Sequence, residues 1–492
     1  MGRYYVSTAY LHEQGNDIAK GLLLRAEGKP IGKKGFYWLM VNLATNYGGD
    51  AGREDGLKTD KISLQDRYNW AKNNSSLLIS FAENPFVNTG WMYTDKCWQF
   101  LASCFELKNL RDYQKNITEF QDPYGYISNF VCFVDGSTNG SQHLVALTKD
   151  DSCAHLVNLV PLEVPGDLYS YVAVHVWNKL SAIISGMLIE DLLACEEYID
   201  KLIDIKQRLI LEERGSPNRK IIIEEIQTFK LDNQALVEMT SPVFWSRITD
   251  LKERRKVIKR GVMTLVYGST RYGMSQQVID DADKHNIDLL LFLEHKWGSY
   301  LGGEIFCNCR DYLKKPMQLL AIFEKAGEKA ERRGEFLSWT VPITLFPVVQ
   351  NYTKGKVKKI YVQYWPPGGE KSTTGYWDNT LQLNIAFIED TVPAKGKQSQ
   401  GVSPNVIHSL DAAHLMITVN KANFPVTTVH DSFGCLFADM PELFNIVRES
   451  FLELYMSNPL ESIIQQIGGD LSDIEIGTLD LELILRSDYC FS

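Results

Sequence analysis

Two apolar, strand-like runs in this chain each end at an aspartate, although 296 positions separate the two acidic residues. The first run covers residues 130–134 and stops at Asp135, and the second is the VTTV run that precedes His430 and Asp431. Valine, phenylalanine and threonine favour pleated strands, and Ser432 to Gly434 are expected to supply the turn of a hairpin. Any fold of this chain therefore has a carboxylate at the end of each of two strands, and the two carboxylates lie either apart or close together.

Each aspartate has two interpretations. Asp431 suits a turn in which the carboxylate accepts a hydrogen bond from its own backbone, and Asp135 suits a helix N-cap. Alternatively, the two carboxylates share divalent cations, and Gly136 lets a ligand approach the backbone. The sequence alone leaves both interpretations open.

Composition limits the broad class. The chain has 492 residues, of which 45% are hydrophobic, and this is enough for several subdomains of mixed α/β character. It has no signal peptide pattern and no run of eighteen apolar residues, so we expect no membrane segment. Nine scattered cysteines favour reduced thiols over a zinc site or disulfides. A net charge of −10 argues against extensive coating by nucleic acid, although an internal channel can still be basic.

A third pattern supplies positive charge. Arg255, Lys259, Met263 and Tyr267 recur every four residues, so on a helix they form one slowly turning stripe. The stripe suits a triphosphate held by the two cations, with sugar and base toward Met263 and Tyr267; the alternative is a surface helix that packs its aromatic end. Two carboxylates and a cationic helix together predict two-metal nucleotidyl transfer, and no Walker loop is present.

These motifs resemble those of the single-subunit bacteriophage and mitochondrial DNA-dependent RNA polymerases. DGSTNGSQH at 135–143, the RxxxKRxVMTxxYG pattern at 255–268 and HDSFG at 430–434 stand in the order of that family. QGNDIAKGLL, GKPIGKKGFYWL, SPNVIHSLDAAHL and the terminal SDYCFS are also similar to family stretches, so the resemblance covers nearly the whole chain.

The resemblance implies a right-hand polymerase palm and fingers with mostly helical surroundings, lacking the thumb and the N-terminal promoter domain. The implied domains are a first palm part, a helical insertion with the fingers, a specificity-type hairpin, and a second palm part with the C-terminal tail. Their expected ranges are 1–165, 166–340, 341–400 and 401–492.

The resemblance also assigns roles to individual residues. The implied ligands of two Mg²⁺ ions are Asp135, Gly136 through its carbonyl, and Asp431. The implied catalytic groups are Asp135, Asp431, Lys259 and Tyr267. The implied nucleotide contacts are Arg255, Lys259, Met263, Tyr267, His408, Lys61 and Tyr169. The implied nucleic-acid contacts are Arg3, His430, Lys358 and Lys359.

Ribonucleotide chemistry has a separate physical argument. Gly136 and Ser137 leave room near the first aspartate, and Tyr267 and His408 can offer hydrogen bonds that a deoxyribose would leave unmade. His408 also suits a capping or core role. We therefore predict a DNA-directed RNA polymerase catalytic subunit acting on a DNA template, an RNA product and NTPs. The alternatives are a DNA polymerase of the related palm family and a non-catalytic nucleic-acid-binding subunit.

One departure from the family pattern concerns partners. The family's DxxGR element is represented only by Gly2-Arg3, which predicts that a second polypeptide supplies the thumb and N-terminal region, as in split two-subunit phage enzymes. Helices around 185–230 are expected to be an insertion with a docking role. We also expect a DNA-loading accessory protein. The expected location is the cytoplasm of a phage-infected bacterium rather than an organelle. The lysine-rich hairpin at 356–387 suits DNA contact or a guarded sheet edge.

Overall fold

The computed structural model describes residues 6–8, 11–52, 57–213, 215–285, 287–363 and 380–492. Within those ranges, the side chains at 283, 354–359, 361–363 and 380–392 are not described. The architecture is mixed α/β, as the sequence predicts, with helices surrounding a small antiparallel sheet. Arg3 lies outside the described residues, and so do the side chains of Lys358 and Lys359.

Helices make up most of the described chain. They are α1 (Asp17–Leu22), α2 (Gly32–Tyr47), α3 (Leu64–Asn73), α4 (Ser75–Glu83), α5 (Cys97–Asn116), α6 (Asn139–Thr148), α7 (Leu168–Ser185), α8 (Ile189–Leu211), α9 (Pro217–Asp232), α10 (Thr240–Ser246), α11 (Leu251–Leu265), α12 (Arg271–Asp280), α13 (His295–Tyr312), α14 (Lys314–Arg333), α15 (Lys397–Lys421), α16 (Met440–Met456) and α17 (Pro459–Ile467). Short 3-10 turns occupy Thr59–Lys61, Thr89–Tyr93, Ala154–Val157, Ala282–Lys284, Asp288–Phe292, Phe437–Asp439 and Leu481–Arg486.

The strands form one sheet and two separate hairpins in the described part of the chain. They are β1 (Leu24–Pro30), β2 (Ile127–Asp135), β3 (Ser338–Val341), β4 (Phe346–Val349), β5 (Thr353–Gln363), β6 (Thr380–Pro393), β7 (Thr427–Val429) and β8 (Ser432–Leu436). The sheet has the order β1-β2-β8-β7, and every neighbouring pair is antiparallel. Strands from opposite ends of the chain therefore lie side by side.

Burial explains why β2 and β8 occupy the centre. In β2, Phe130, Cys132 and Val134 alternate onto one buried face, which contacts α2 and α5. All five residues of β8 are buried, as expected for a strand paired on both sides and covered by α16. The sheet is consequently a rigid base whose strand ends keep fixed directions.

A relay of buried tryptophans joins the helices that support α11. The indole N–H of Trp177 on α7 donates to the carbonyl of Trp245 at 3.0 Å, and Trp245 donates to the carbonyl of Trp297 at 2.8 Å. Trp297 on α13 in turn donates to the hydroxyl of Thr240 at 2.9 Å. Each indole buries its large ring and also satisfies its single donor. This relay ties α7, α10 and α13 into one block.

The predicted helical stretch 168–213 is two helices, α7 and α8, which separate at Gly186-Met187-Leu188. Among the described residues, no single helix is long and apolar enough to cross a membrane. α7 and α8 reach that length and composition only as a pair, which is bent by 120° between the two helices. The predicted hairpin near 356–387 is confirmed as β5 paired with β6, and its tip at 364–379 lies outside the described residues. The β3–β4 hairpin spans the expected domain boundary at 340/341.

Candidate active site

Asp135 and Asp431 lie beside each other at the same end of the sheet. In the β2–β8 ladder Asp135 pairs with Ser432, and the backbone N–H of Gly136 donates to the carbonyl of Asp431 at 3.3 Å. Asp135 is exposed and Asp431 is half-buried. The fold thus brings together the two carboxylates that the sequence could only mark separately.

The turn of the second hairpin differs from the sequence prediction. Ser432 to Gly434 were expected to form it, but they belong to β8, and the turn is His430-Asp431. His430 adopts a positive φ of 57°, a conformation that non-glycine residues use sparingly. Gly434 serves packing instead, because a Cβ there would lie 2.6 Å from the ring of Phe133 on β2. His430, a predicted nucleic-acid contact, is exposed at this turn.

The segment after Asp135 is held by the C-terminal tail. The Gln142 side-chain amide donates to the carbonyl of Cys490 at 2.8 Å, and the backbone N–H of Ser137 donates to the same carbonyl at 3.3 Å. The backbone N–H of Ser492 donates to the Asp135 carbonyl at 3.0 Å. Asp135 is not the N-cap of the next helix, because α6 begins after Thr138. The capping interpretation of Asp135 is therefore wrong.

Arg255 and Lys259 project from α11 toward α7. The guanidinium carbon of Arg255 lies 5.2 Å from the ring centre of Tyr169, and the Lys259 ammonium lies 6.0 Å from that same centre. Asp250 begins the helix by accepting from the Lys252 backbone at 3.1 Å. Both predicted triphosphate contacts thus lie over one aromatic ring near the base of α7.

Charge and burial change the acidity of Lys259. Although the residue as a whole is exposed, desolvation around its ammonium lowers its pKa, and the positive charges of Arg255 and Lys61 lower it further. Asp167 and Asp60 oppose this shift. A lysine with a lowered pKa gives up its proton more readily than a free lysine. Lys259 therefore suits the expected role of proton donor as well as that of phosphate contact.

Tyr267 does not lie on the helix with the other members of its stripe. α11 ends at Leu265, and the chain then tightens through hydrogen bonds from Tyr267 to Thr264 and from Gly268 to Leu265. Gly268 takes a positive φ of 79°, which redirects the chain. The expectation of one continuous helical row is wrong at its last member, because this turn ends the helix.

The turn places Tyr267 against two other parts of the chain. The rings of Tyr267 and His408, on α15, have centroids 5.1 Å apart. A Cβ at Gly140 would lie 3.1 Å from the Tyr267 hydroxyl, so this glycine leaves space for the ring. Met263 is 44% exposed, two residues before the end of α11. Tyr267, His408 and the segment after Asp135 consequently face one another.

Comparisons with known proteins identify the family of this chain. Residues 29–474 match the family model described as DNA-dependent RNA polymerase. The chain belongs to this family. It is similar to the DNA-directed RNA polymerase of Enterobacteria phage T3, with 28% identity over 522 residues that cover 100% of this chain and 52% of the relative.

Two further relatives extend the range of organisms. The T7 RNA polymerase of Escherichia phage T7 is 28% identical over 526 residues, which cover 100% of this chain and 52% of that protein. The mitochondrial DNA-directed RNA polymerase of Mus musculus is 28% identical over 523 residues, covering 100% of this chain and 36% of that protein. The chain therefore spans about half the length, or less, of these relatives.

Tyr169 links the cationic helix of this polymerase-family chain to the aspartate pair. Burial raises the pKa of Tyr169 to about 12; Arg255 opposes the shift, whereas Asp167, Tyr267 and Asp431 add to it. One buried ring thus lies within electrostatic reach of the predicted triphosphate site and of an aspartate on the sheet. Lys61 is exposed and forms an ion pair with Asp60 at 2.9 Å.

Lys20 is a residue to which the sequence patterns gave no role. It lies on α1, half-buried, with its ammonium 5.4 Å from the ring centre of Phe133. Desolvation lowers its pKa, while the charges of Asp135, Asp17 and Asp431 oppose the shift. The QGNDIAKGLL stretch resembled the family, but only the fold brings its lysine to the aspartate pair.

The donor chemistry of the aspartate pair fits a divalent cation such as Mg²⁺. Carboxylate and carbonyl oxygens are the ligands that hard cations prefer, and Asp135, Gly136 and Asp431 supply them from the end of β2 and the adjoining β7–β8 turn. Across the described ranges, no group of three or more histidine, cysteine, aspartate or glutamate residues could hold a metal ion. A cation here would therefore need further oxygen ligands, such as water or phosphate.

A cleft of about 840 Å³ begins directly beyond Tyr267, and we call it the basic cleft. Its charged lining comprises the cations Arg271, Arg310 and Lys314, which outnumber the carboxylates Asp311 and Glu324, and its apolar members include Phe306 and Met317. Three cations beside an apolar floor suit a strand of nucleic acid, whose phosphates and bases need both kinds of contact.

Proposed function

We propose that this chain is the catalytic part of a DNA-directed RNA polymerase, which adds ribonucleotides to an RNA 3′ end as a DNA template directs. The observation that carries the proposal is the proximity of Asp135, at the end of β2, to Asp431, in the adjoining β7–β8 turn. The charge of Asp431 also acts on Tyr169 of α7, which lies under Arg255 and Lys259 of α11. Membership of the polymerase family supports the same reaction class.

In this proposal, different residues perform different parts of nucleotidyl transfer. Asp135 and Asp431, with the Gly136 carbonyl, would hold Mg²⁺. When bound, such ions activate the attacking hydroxyl and stabilise the departing pyrophosphate. Arg255 and Lys259 would bind the triphosphate, neutralise its charge and orient it, and Lys259 would give its ammonium proton to the leaving group. Lys61 is positioned to add positive charge near Lys259.

Sugar and template contacts occupy the neighbouring surfaces. Tyr267 and His408 would select ribose by hydrogen bonds around its 2′-hydroxyl, and Met263 would contact the base. The basic cleft would take the template strand, with Arg271, Arg310 and Lys314 near its phosphates. His430 would contact nucleic acid beside the aspartates. Arg3, Lys358 and Lys359 stay predicted nucleic-acid contacts whose side chains lie outside the described part of the chain.

Several parts of the proposal concern the whole assembly. The relatives are each one longer chain, so the comparisons do not support the predicted second polypeptide, which stays a prediction to be tested by co-purification from the native source. The same holds for the loading factor and for docking by the helices near 185–230. The phage relatives make an infected bacterial cell our proposed setting, and the mitochondrial relatives make an organelle the second candidate.

Primer extension on an RNA/DNA hybrid tests the reaction. We expect ribonucleotides to extend the primer with Mg²⁺ present, and Asp431→Asn to lower the rate by about a thousandfold, since it removes a charge that acts on the transition state. Parallel reactions with deoxynucleotides distinguish a DNA polymerase. No extension by the wild-type chain, with or without a co-expressed partner, would favour a non-catalytic role.

A further inference from the structure

Asp167 connects the start of α7 with the cationic face of α11. Its Oδ2 accepts from Arg255 Nε at 2.6 Å and from the Ser170 hydroxyl at 2.8 Å. Its Oδ1 accepts from the backbone N–H groups of Tyr169 at 3.0 Å and Ser170 at 3.3 Å. One carboxylate therefore caps a helix and holds an arginine of another helix.

The geometry around Arg255 is directional. Only Nε of the guanidinium donates to Asp167, and neither terminal nitrogen donates a hydrogen bond to a residue in the described ranges. The ring of Tyr169 lies 5.2 Å from the guanidinium carbon and limits its movement on that side. The two terminal N–H groups form the fork that matches two oxygens of a phosphate.

Both groups are only partly exposed, with side-chain exposures of 25% for Arg255 and 28% for Asp167. Burial would raise the pKa of the Asp167 carboxyl, but the charge and hydrogen bond of Arg255 and the hydrogen bonds of Ser170 hold it below its usual value. The carboxylate is thus ionised at neutral pH, and the ion pair is available whenever the enzyme works.

We propose that Asp167 is a positioning residue for nucleotide binding, which fixes Arg255 through Nε so that its terminal nitrogens are presented to the triphosphate. The proposal rests on the proposed function. An arginine held in place before binding loses less side-chain entropy when the phosphate arrives. The cap on α7 places Tyr169 beneath the same guanidinium, so one carboxylate orients both neighbours.

Two substitutions separate this role from helix capping. Asp167→Asn keeps an acceptor oxygen for the α7 cap and removes the charge, and Asp167→Ser keeps a capping hydroxyl that is too short to hold Arg255. Asp250→Asn is the matched control, because Asp250 caps α11 without contacting Arg255. We expect both Asp167 variants to raise the KM for NTP about tenfold and to leave kcat within about threefold, since prior orientation of Arg255 contributes to binding.

A double-mutant cycle decides whether Asp167 acts through Arg255. In the Arg255→Gln background, Asp167→Asn should have no further effect on the dissociation constant of NTP, measured by intrinsic fluorescence without turnover. Equal losses in both backgrounds, an unchanged dissociation constant, or tighter binding by Asp167→Asn would each overturn the proposal. The fluorescence titration needs no catalysis. Failure of the wild-type chain to extend a primer, with or without a co-expressed partner, would therefore count against the proposed function and still leave this test decisive.

Discussion

The ring centroids of Tyr267 and His408 lie 5.1 Å apart, although these residues belong to distant parts of the chain. Neither position is special in isolation: one follows a helix end, and the other lies within a long buried helix. Their proximity forms a small polar surface between α11 and α15.

Substituting Tyr267 with phenylalanine should relax sugar selection. The ring and its packing against Gly140 are kept, whereas the hydroxyl that would contact ribose is lost. We expect the preference for rNTP over dNTP, as a ratio of kcat/KM values, to fall about tenfold or more, because a hydrogen-bonding site rejects a substrate that lacks the partner. Tyr272→Phe, at a 72% exposed tyrosine nearby, is the control. An unchanged ratio would contradict the role given to Tyr267.

Replacing Gly136 with alanine should displace the segment that follows Asp135. A Cβ there would lie 3.2 Å from Gln142 Oε1 and 3.3 Å from Asn139 Cβ, so the segment after Asp135 or these neighbours would have to shift. We expect Gly136→Ala to cost about 1–2 kcal/mol of unfolding free energy. Extension should slow about tenfold or more, since small displacements of catalytic groups are costly.

Gly186→Ala is the matched control for this substitution, because its Cβ would meet only ordinary contacts at 3.5 and 3.7 Å. Urea denaturation and primer extension measure the two effects. A Gly136→Ala protein with wild-type activity would show that the segment after Asp135 tolerates displacement.

The pH dependence of nucleotide use should report Lys259. Its pKa is lowered, so its proton, and with it the attraction for phosphate, is lost at a lower pH than for a free lysine. We therefore expect the alkaline limb of kcat/KM to begin below pH 10.5, the ordinary pKa of lysine.

The charge of Lys61 contributes to the lowered pKa of Lys259, so its removal should move the alkaline limb of kcat/KM to a higher pH. Lys61→Gln takes away a positive neighbour, which lets Lys259 keep its proton to a higher pH. Lys58→Gln is the control, since Lys58 forms an ion pair with Asp95 at 2.9 Å that offsets its charge. A limb that stays in place in Lys61→Gln would show that Lys259 does not govern it.

Lys20 should influence divalent-cation binding. Its positive charge interacts with Asp135 and Asp431, so Lys20→Met should let the pair bind cations more tightly. We expect the Mg²⁺ concentration for half-maximal activity to fall about two- to fivefold, the order expected for losing one charge at a partly buried site. Mn²⁺ binding followed by electron paramagnetic resonance gives a readout independent of activity. Lys20→Arg should resemble the wild type, and weaker Mn²⁺ binding by Lys20→Met would contradict this account.

Sequence patterns predicted several local features because these depend on neighbouring residues. The apolar run before Asp135 specified a strand that ends there, and the amphipathic periodicity of residues 168–213 specified helices. Family motifs marked Asp135, Arg255, Lys259 and Asp431 by type and order, but their catalytic roles stay predictions.

Local patterns failed where distant packing decided the outcome. The residues Ser432 to Gly434 suited a turn by composition, yet pairing with β2 on one side and β7 on the other makes them a central strand. Tyr267 fitted a helical row, yet α11 ends at Leu265 and Tyr267 lies in the following turn, with its ring beside that of His408. No sequence pattern gave Lys20 or Asp167 a role, although Lys20 lies in the family-like stretch QGNDIAKGLL, because their positions depend on partners far along the chain.

By itself, then, the sequence determined which segments form strands and helices and which charged side chains stand at their ends, since backbone preference and apolar periodicity act over a few residues. Only the tertiary structure decided that Asp135 meets Asp431, that Asp167 holds Arg255 and that Lys20 lies near the aspartates. These relationships arise from burying the faces of a four-stranded sheet and its helices together, and that packing joins residues hundreds of positions apart.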